Sequence, residues 1–342
     1  MGSIYILFDC PDAQNDKKWL IDELTRLHSG KVTSVSIHHT LSILARKGLF
    51  ARIASKLIAV WQALRAVISS KPGDTLICWQ EFTGKICAVL SNLLGNRRKL
   101  ILMNWLTPEP SCRKWDKTYR MILHNPMCRV TVNSPDSPKE WAAFLGISAV
   151  ENFRLLPDVF DTEVTWNEPN PGEDRYCFTG GMNNRDWALL ARIAKKCPQI
   201  KFVCVALESD FKEQVQALPA NVEVHFDIPA KVYYGLMNHA YAVLLPLKDH
   251  RVAGLINIIR AAQAGVLCCI TRTPSTQQYY PADNSDLLMD MSEAAWIGEI
   301  HELFGLSPEA YAGKVKKNQA FIAENFSGAA AAKKLLEIIR ED

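Results

Sequence analysis

The sequence predicts an α/β protein with two doubly wound parallel sheets, one in each half of the chain. Short apolar runs rich in Val, Ile and Leu alternate with longer segments whose apolar residues recur at helical spacing. Nearly continuous apolar strands are typical of parallel sheets, because helices cover both faces. The strand–helix–strand order implies right-handed crossovers, and 342 residues suffice for two such domains.

The strands follow one another in chain order. Those of the first half are predicted at 3–8, 32–37, 75–79, 99–104 and 129–132. Those of the second half are predicted at 175–179, 200–206, 222–226, 241–245 and 267–271. Amphipathic segments between them, such as 49–68 and 187–194, supply the crossover helices.

A linker is predicted at 158–174, where the chain is polar and contains proline and glycine. The charge balance changes there. Residues 1–157 hold 21 Lys and Arg against 12 Asp and Glu, whereas residues 158–342 hold 18 against 24. The sequence therefore predicts an N-terminal domain at 1–157 and a second domain that begins at 175.

Composition excludes several classes of protein. With 48% apolar and 22% charged residues the chain is an ordinary globular protein, and no apolar run is long enough for a membrane span. The first residues do not resemble an export signal, so a cytoplasmic location is expected. The ten cysteines form no CxxC pair, which predicts reduced core residues and neither disulfides nor metal ligands. No bound cofactor is expected. Without a recognition motif, nucleic-acid binding is not expected.

The segment 175–187 is the first candidate for chemistry. A buried strand ends in two glycines, Gly180 and Gly181, which permit a tight turn and close approach to a ligand. Asn183 or Asn184 is predicted to cap the next helix, with Arg185 in its first turn. Amide groups at a helix start beside a guanidinium would bind a diphosphate. The alternative is a plain turn with a surface arginine.

The segment 244–271 is the second candidate. Gly254 opens an apolar helix that Gly265 ends as its left-handed cap. Asn257 and Arg260 are neighbours on one side of this helix. A polar ridge on a buried helix indicates either a ligand or a salt bridge to a carboxylate such as Asp249.

These segments resemble GT-B glycosyltransferases, especially those similar to family 4. Phe178-Thr-Gly-Gly and Asn184-Arg-Asp-Trp resemble the first turn of that family's donor domain. Gly254 and the run Ala261-Ala-Gln-Ala-Gly265 resemble its donor motif. Further similar stretches lie, in the same order as in the family, at 128–134, 155–161, 227–237 and 240–246.

The resemblance implies two Rossmann-like domains that face each other across a cleft. It implies an acceptor domain at 1–157, a donor domain at 175–327 and a last helix at 328–342 that packs back on the first domain. The implied activity is metal-independent transfer of a hexose from a nucleotide diphosphate sugar to an acceptor hydroxyl, in polysaccharide or glycan synthesis. A non-catalytic binding or assembly subunit and a nucleotide-sugar epimerase remain as alternatives.

The resemblance also assigns the nucleotide sugar to particular positions. The residues it places there are Gly180, Gly181, Arg185, Phe226, Pro229, Lys231, Arg251, Gly254, Asn257 and Arg260. Arg260 departs from the family, because it stands where a glutamate accepts hydrogen bonds from ribose. Arginine has donors only, so it cannot make those bonds.

Two carboxylates are candidates for the base that activates the acceptor. Glu81 and Asp12 follow predicted strands of the first domain, and ligands of such sheets bind at the carboxyl ends of strands. Each could instead be a surface carboxylate with a structural role.

The basic stretch 45–70 has two interpretations. Arg46, Lys47, Arg52, Lys56 and Arg65 punctuate apolar residues at helical spacing. The stretch could rest on an anionic membrane at the inner face and present a lipid-linked acceptor. Alternatively it is a core-packed helix with a solvated basic face.

Overall fold

The computed structural model describes residues 2–8, 18–36, 49–79, 81–95, 98–148, 151–159, 166–169, 175–181 and 183–341. The chain divides into two compact units. Unit 1 comprises Met1–Glu163 and Ser327–Asp342, and unit 2 comprises Val164–Phe326. The division falls inside the predicted linker, most of which lies outside the described residues.

Unit 1 contains a six-stranded parallel sheet with the order β2-β1-β3-β4-β5-β6. Its strands are β1 Ile4–Phe8, β2 Val32–Ser36, β3 Thr75–Cys78, β4 Lys99–Trp105, β5 Cys128–Val132 and β6 Phe153–Leu155. Its helices are α1 Lys18–Leu27, α2 Leu49–Ser69, α3 Glu81–Leu93, α4 Asp116–Leu123, α5 Ser137–Leu145 and, after unit 2, α12 Gly328–Arg340. A 3₁₀ segment, Pro110–Trp115, precedes α4.

Side chains alternate between two cores along β1, as the period of a strand requires. Ile4 and Ile6 pack with Trp19 of α1 and Leu335 of α12. Leu7 belongs to the other core, which helices α2 to α5 cover. Helix α12, from the end of the chain, thus completes one face of the unit 1 sheet.

Unit 2 contains a second six-stranded parallel sheet with the order β12-β11-β10-β7-β8-β9. Its strands are β7 Tyr176–Gly180, β8 Lys201–Ala206, β9 Val222–Phe226, β10 Ala242–Leu245, β11 Leu267–Thr271 and β12 Leu288–Met289. Its helices are α6 Trp187–Lys196, α7 Glu208–Gln214, α8 Ala230–Asn238, α9 Leu255–Ala264, α10 Glu293–Gly305 and α11 Pro308–Asn325.

The predicted fold class, two doubly wound parallel sheets, is confirmed. All ten predicted strands occur with bounds shifted by one residue at most. The sequence missed β6 and β12, which are edge strands of three and two residues and are too short to show a pattern. In the part of the chain that the structure describes, no helix combines the length and hydropathy needed to cross a bilayer.

Candidate functional site

An arginine is buried beside the end of an inner strand of unit 2. Arg185 follows β7 and is only 3% exposed. Its Nε donates to the Gly180 carbonyl oxygen at 2.9 Å, and Nη1 donates to the Asn183 carbonyl oxygen at 3.2 Å. Neither carbonyl carries a full negative charge, so these bonds do not neutralise the guanidinium. The alternative of a surface arginine is therefore wrong.

Arg185 forms no ion pair with any carboxylate among the described residues. Burial lowers the pKa of Arg185, and the groups that oppose this shift are the Tyr233 hydroxyl and the Cys268 thiol. Burial raises the pKa of each of those groups to about 12, so both are uncharged near neutral pH. A buried cation without a counter-ion is costly, and this site is therefore suited to an anion.

The two glycines at the end of β7 leave room for this arrangement. Gly181 has a φ of +138°, and a Cβ there would lie 2.6 Å from Arg185 Nη2. A Cβ on Gly180 would lie 2.5 Å from the Tyr233 ring. Each added methyl group would displace one of these side chains. Both positions therefore need glycine, for reasons internal to the site.

The predicted helix start is wrong. Helix α6 begins at Trp187, and the Asp186 side chain caps it by accepting from the Leu189 amide at 2.8 Å. Arg185 thus precedes the helix instead of lying in its first turn. Asn184 adopts a left-handed φ of 58° and donates to the Asp249 carbonyl oxygen. Because Asp186 occupies the cap, the start of α6 is not the anion site.

The start of α9 lies beside Arg185. Gly254 precedes the helix with a φ of +80°, and no side chain caps the first turn. A Cβ on Gly254 would lie 3.6 Å from Arg185 Nη2. Asn257, in the first turn, donates to the Gly180 carbonyl oxygen at 3.1 Å and to the Tyr233 hydroxyl at 3.0 Å. A helix start without a side-chain cap and a buried guanidinium therefore share one place, which we call the Arg185 cradle (Gly180, Gly181, Arg185, Gly254 and Asn257).

The other predicted donor-side residues lie in more open positions. Phe226 is half-buried against Phe211, with ring centroids 5.9 Å apart, whereas Pro229 and Lys231 are exposed. Arg251 is exposed and pairs with Asp249 at 2.9 Å. This ion pair partly neutralises Arg251. Asp249 therefore pairs with Arg251 and not with Arg260.

Arg260 contacts two other side chains of unit 2, Tyr234 and Gln263. Its guanidinium lies 5.5 Å from the centre of the Tyr234 ring, and Nη1 donates to Gln263 Oε1 at 3.3 Å. Neither contact involves the Arg185 cradle. The salt bridge to Asp249, one of the two alternatives that the sequence left open for Arg260, does not form, because Asp249 pairs with Arg251.

In unit 1, Glu81 lies at the start of α3 in a buried polar cluster. Lys85 Nζ donates to Glu81 Oε1 at 2.7 Å and to the Tyr119 hydroxyl at 3.1 Å. The Tyr119 hydroxyl also donates to Glu81 Oε1. Burial and this bond raise the pKa of Tyr119. Oε1 of Glu81 thus accepts hydrogen bonds from both Lys85 and Tyr119. If Glu81 acts as a base, it would take the proton of a bound hydroxyl group through its other oxygen, Oε2. The other candidate base, Asp12, lies outside the described residues.

A cavity of about 530 Å³ lies next to this cluster at the carboxyl ends of β3 and β4. Its lining includes Lys56, Trp79, Asn104 and Trp115 in addition to Glu81. Indole faces and hydrogen-bonding side chains together are suited to a sugar or another polar ring.

Sequence reasoning missed Lys85, Tyr119 and Tyr233. Lys85 could have been found, because a lysine four residues after a glutamate on a helix pairs with it. Tyr119 lies 38 residues after Glu81, and Tyr233 lies 48 residues after Arg185. No local pattern connects residues so far apart, so only the fold reveals these contacts.

Comparison with known proteins gives structural matches alone. No protein family matches the chain by sequence, and no curated protein does. HepE from Anabaena, solved with UDP and glucose, is 14% identical over 100% of both chains with a TM-score of 0.70. A glycosyltransferase from Rickettsia africae is 10% identical over 99% of this chain and 98% of its own, with a TM-score of 0.65.

A third solved structure has the same architecture. The UDP-forming α,α-trehalose-phosphate synthase from Burkholderia vietnamiensis is 9% identical over 99% of this chain and 100% of its own, with a TM-score of 0.66. At such low identities the likeness establishes the fold. This protein therefore has the GT-B fold that the resemblance predicted, whereas membership of family 4 stays a prediction.

Proposed function

We propose that this protein is a glycosyltransferase that moves a hexose from a nucleotide diphosphate sugar to an acceptor hydroxyl. The observation that carries the proposal is Arg185, a buried cation without a carboxylate partner among the described residues, beside the start of α9. Cleavage of a glycosyl–phosphate bond builds negative charge on the departing diphosphate. Preorganised amides and cations stabilise such charge, and this contribution is usually the largest in catalysis.

The structural neighbours support the same chemistry. HepE was solved with UDP and with UDP-glucose, and the trehalose-phosphate synthase is named as UDP-forming. Those ligands belong to those proteins. They support our proposal because the folds agree over essentially the whole chain and because this chain has a cationic cradle of its own.

We assign the parts of the donor as follows. The diphosphate would lie against Arg185, the amides that begin α9 and Gly181. Phe226 and Pro229 would flank the base, and exposed Lys231 would approach the phosphates from solvent. Arg260, above Tyr234, would donate to the nucleotide where the family has an acceptor of hydrogen bonds. Because Arg185 and the helix start supply positive charge, we expect transfer to need no metal ion.

On the acceptor side, we propose that the unit 1 cavity binds a glycan or a lipid-linked acceptor. Glu81 Oε2 is our candidate for the atom that takes the hydroxyl proton, and Asp12 remains a second candidate. The product would be a polysaccharide or another glycan assembled at the cytoplasmic side of a membrane.

The two alternatives differ in what they require of the Arg185 cradle. A non-catalytic subunit needs no nucleotide there, and no carboxylate among the described residues occupies it. A nucleotide-sugar epimerase would bind the donor but would act without an acceptor. Product analysis with donor alone separates the epimerase from the transferase.

Isothermal titration calorimetry with UDP, GDP and ADP tests the proposal. We expect at least one of them to bind the native protein, and Arg185→Ala to weaken that binding by about thirtyfold or more, because hydrogen bonds to charged groups are strong. Arg192→Ala is the matched control, since Arg192 is a surface arginine on α6 paired with Glu293 at 3.0 Å. Equal affinities for Arg185→Ala and the native protein would overturn the proposal.

A further inference from the structure

Helix α2 of unit 1 exposes many of its large apolar side chains to solvent and buries mainly small ones. The side chains it buries are mostly small: Ala59, Ala63, Ala66 and Val67. Its large apolar side chains are exposed: Phe50 88%, Ile53 47%, Leu57 64%, Val60 39%, Trp61 63% and Ile68 64%. A helix in a globular protein normally directs such residues towards the core.

The exposed residues form a continuous stripe. Phe50, Leu57, Trp61 and Ile68 are separated by seven, four and seven residues, which places them in one line along a helix. At 1.5 Å per residue the line is about 27 Å long. We call it the α2 stripe (Phe50, Ile53, Leu57, Val60, Trp61 and Ile68). Contiguous exposed apolar area of this size is unusual on a monomer and marks an interaction site.

The charged residues of α2 and of the adjoining chain are all basic. Between Leu24 and Gly73 the chain has eight Lys and Arg and no Asp or Glu. On α2 itself, exposed Lys56 and Arg65 lie on opposite flanks of the stripe. Their long side chains can lie along apolar groups and extend their charges into an anionic layer. The interpretation as a core-packed helix with a solvated basic face describes only part of α2. The helix does pack on the core through Ala63 and Val67, but its outward face is mainly apolar.

We propose that α2 is an in-plane membrane helix that docks unit 1 on an anionic lipid bilayer. The α2 stripe would enter the boundary between headgroups and acyl chains, and the flanking cations would bind lipid phosphates. An outward apolar face with cationic flanks is the arrangement that such helices use, and Trp61 is a residue type that favours this boundary. An apolar site for a protein partner would not require that Lys56 and Arg65, the charges described on the two flanks, both be cationic.

Docking would have a consequence for the cavity of unit 1. Lys56, on α2, also lines that cavity. A bilayer under α2 would therefore bring lipid headgroups close to the proposed acceptor site, which favours a lipid-linked acceptor. This consequence rests on the proposed function, whereas the docking itself does not, since vesicle binding needs neither donor nor acceptor.

Co-sedimentation of the full chain with vesicles tests the docking. We expect binding to vesicles of equal parts phosphatidylcholine and phosphatidylglycerol, little binding to phosphatidylcholine alone, and weaker binding at high salt. Leu57→Gln/Trp61→Gln should reduce binding by about tenfold or more, because it removes the most exposed middle part of the stripe. Arg65→Glu should reduce binding less. Leu218→Gln, at an apolar residue of unit 2 that is 52% exposed, is the matched control and should bind as the native chain does.

A second measurement locates the contact on α2. Brominated lipids should quench part of the fluorescence of the native protein, and Trp61→Phe should bind equally well with less quenching. All variants alter exposed residues, so unchanged melting temperatures are expected. Failure to bind anionic vesicles would overturn the proposal, as would equal binding by the Leu57→Gln/Trp61→Gln variant. A dimer that this double variant dissociates, in a chain that does not bind vesicles, would show that a second copy covers α2.

Discussion

Two buried cations, one in each unit, lie at the carboxyl ends of parallel strands but are balanced in different ways. Lys85 is 7% exposed, and both an ion pair to Glu81 and two aromatic rings 4.9 Å away compensate its charge. Arg185 is 3% exposed and meets two carbonyl oxygens. The protein itself balances Lys85, whereas no carboxylate among the described residues balances Arg185, and we propose that a bound anion does so. Burial is therefore a sign of a binding site only where the counter-charge is missing.

We expect the largest change in nucleoside diphosphate affinity from a substitution that displaces Arg185. Gly181→Ala would place a Cβ 2.6 Å from the guanidinium at a φ of +138°, so the arginine must move. We expect nucleoside diphosphate affinity to fall by about a hundredfold, with a loss of about 1–3 kcal/mol in the free energy of unfolding.

Calorimetry and chemical denaturation measure both quantities. Gly235→Ala is the matched control, since that glycine lies in α8 with no atom within 4 Å of an added Cβ. It should keep full affinity. Unchanged affinity in Gly181→Ala would show that the position of the Arg185 guanidinium does not matter for binding.

Removing Lys85, the cation that the protein balances itself, should lower the stability of the fold and leave nucleotide binding unchanged. Lys85→Met leaves Glu81 and Tyr119 without their shared donor, so we expect a loss of about 2 kcal/mol in the free energy of unfolding. Nucleoside diphosphate affinity should not change. In a double-mutant cycle, adding Glu81→Gln should cost less in the Lys85→Met background than in the native one. Additive losses would contradict the pairing.

The smallest expected effect is on the melting temperature and concerns Glu299, a half-buried acidic side chain. Burial, with Asp286 nearby, raises the pKa of Glu299 to about 7. The folded protein binds this proton more tightly than the unfolded chain. The contribution of Glu299 to the free energy of unfolding is therefore highest below the pKa of an ordinary glutamate and falls as the pH rises towards 7. Glu299→Gln should therefore raise the melting temperature slightly at pH values above 7 and leave it unchanged at acidic pH. The same increase at both pH values would exclude a titration of Glu299.

Much of the fold could be predicted from the sequence, because buried parallel strands leave a strong apolar pattern. The ten predicted strands are of this kind, whereas β6 and β12 are too short to leave one. The glycines of the candidate site were also visible as Gly180, Gly181 and Gly254.

The local geometry of the site was harder to predict. Asn183 and Asn184 were as good capping residues as Asp186, and the choice depends on the left-handed turn at Asn184. The burial of Arg185 depends on Tyr233 and Asn257, which come from distant parts of the chain. The exposure of the α2 stripe could not be predicted either, since its spacing equally suits a core helix.

The most direct test replaces Arg185 by an uncharged side chain of similar length. In Arg185→Met the Gly180 carbonyl oxygen keeps the Asn257 amide as a donor, and exposed Asn183 can bond to water. The melting temperature would be measured with and without the nucleoside diphosphate that stabilises the native protein most. We predict that Arg185→Met without ligand melts no lower than the native protein and that the nucleotide no longer raises its melting temperature. A lower melting temperature with the nucleotide-induced increase retained would contradict the account, because Arg185 would then be a structural cation like Lys85.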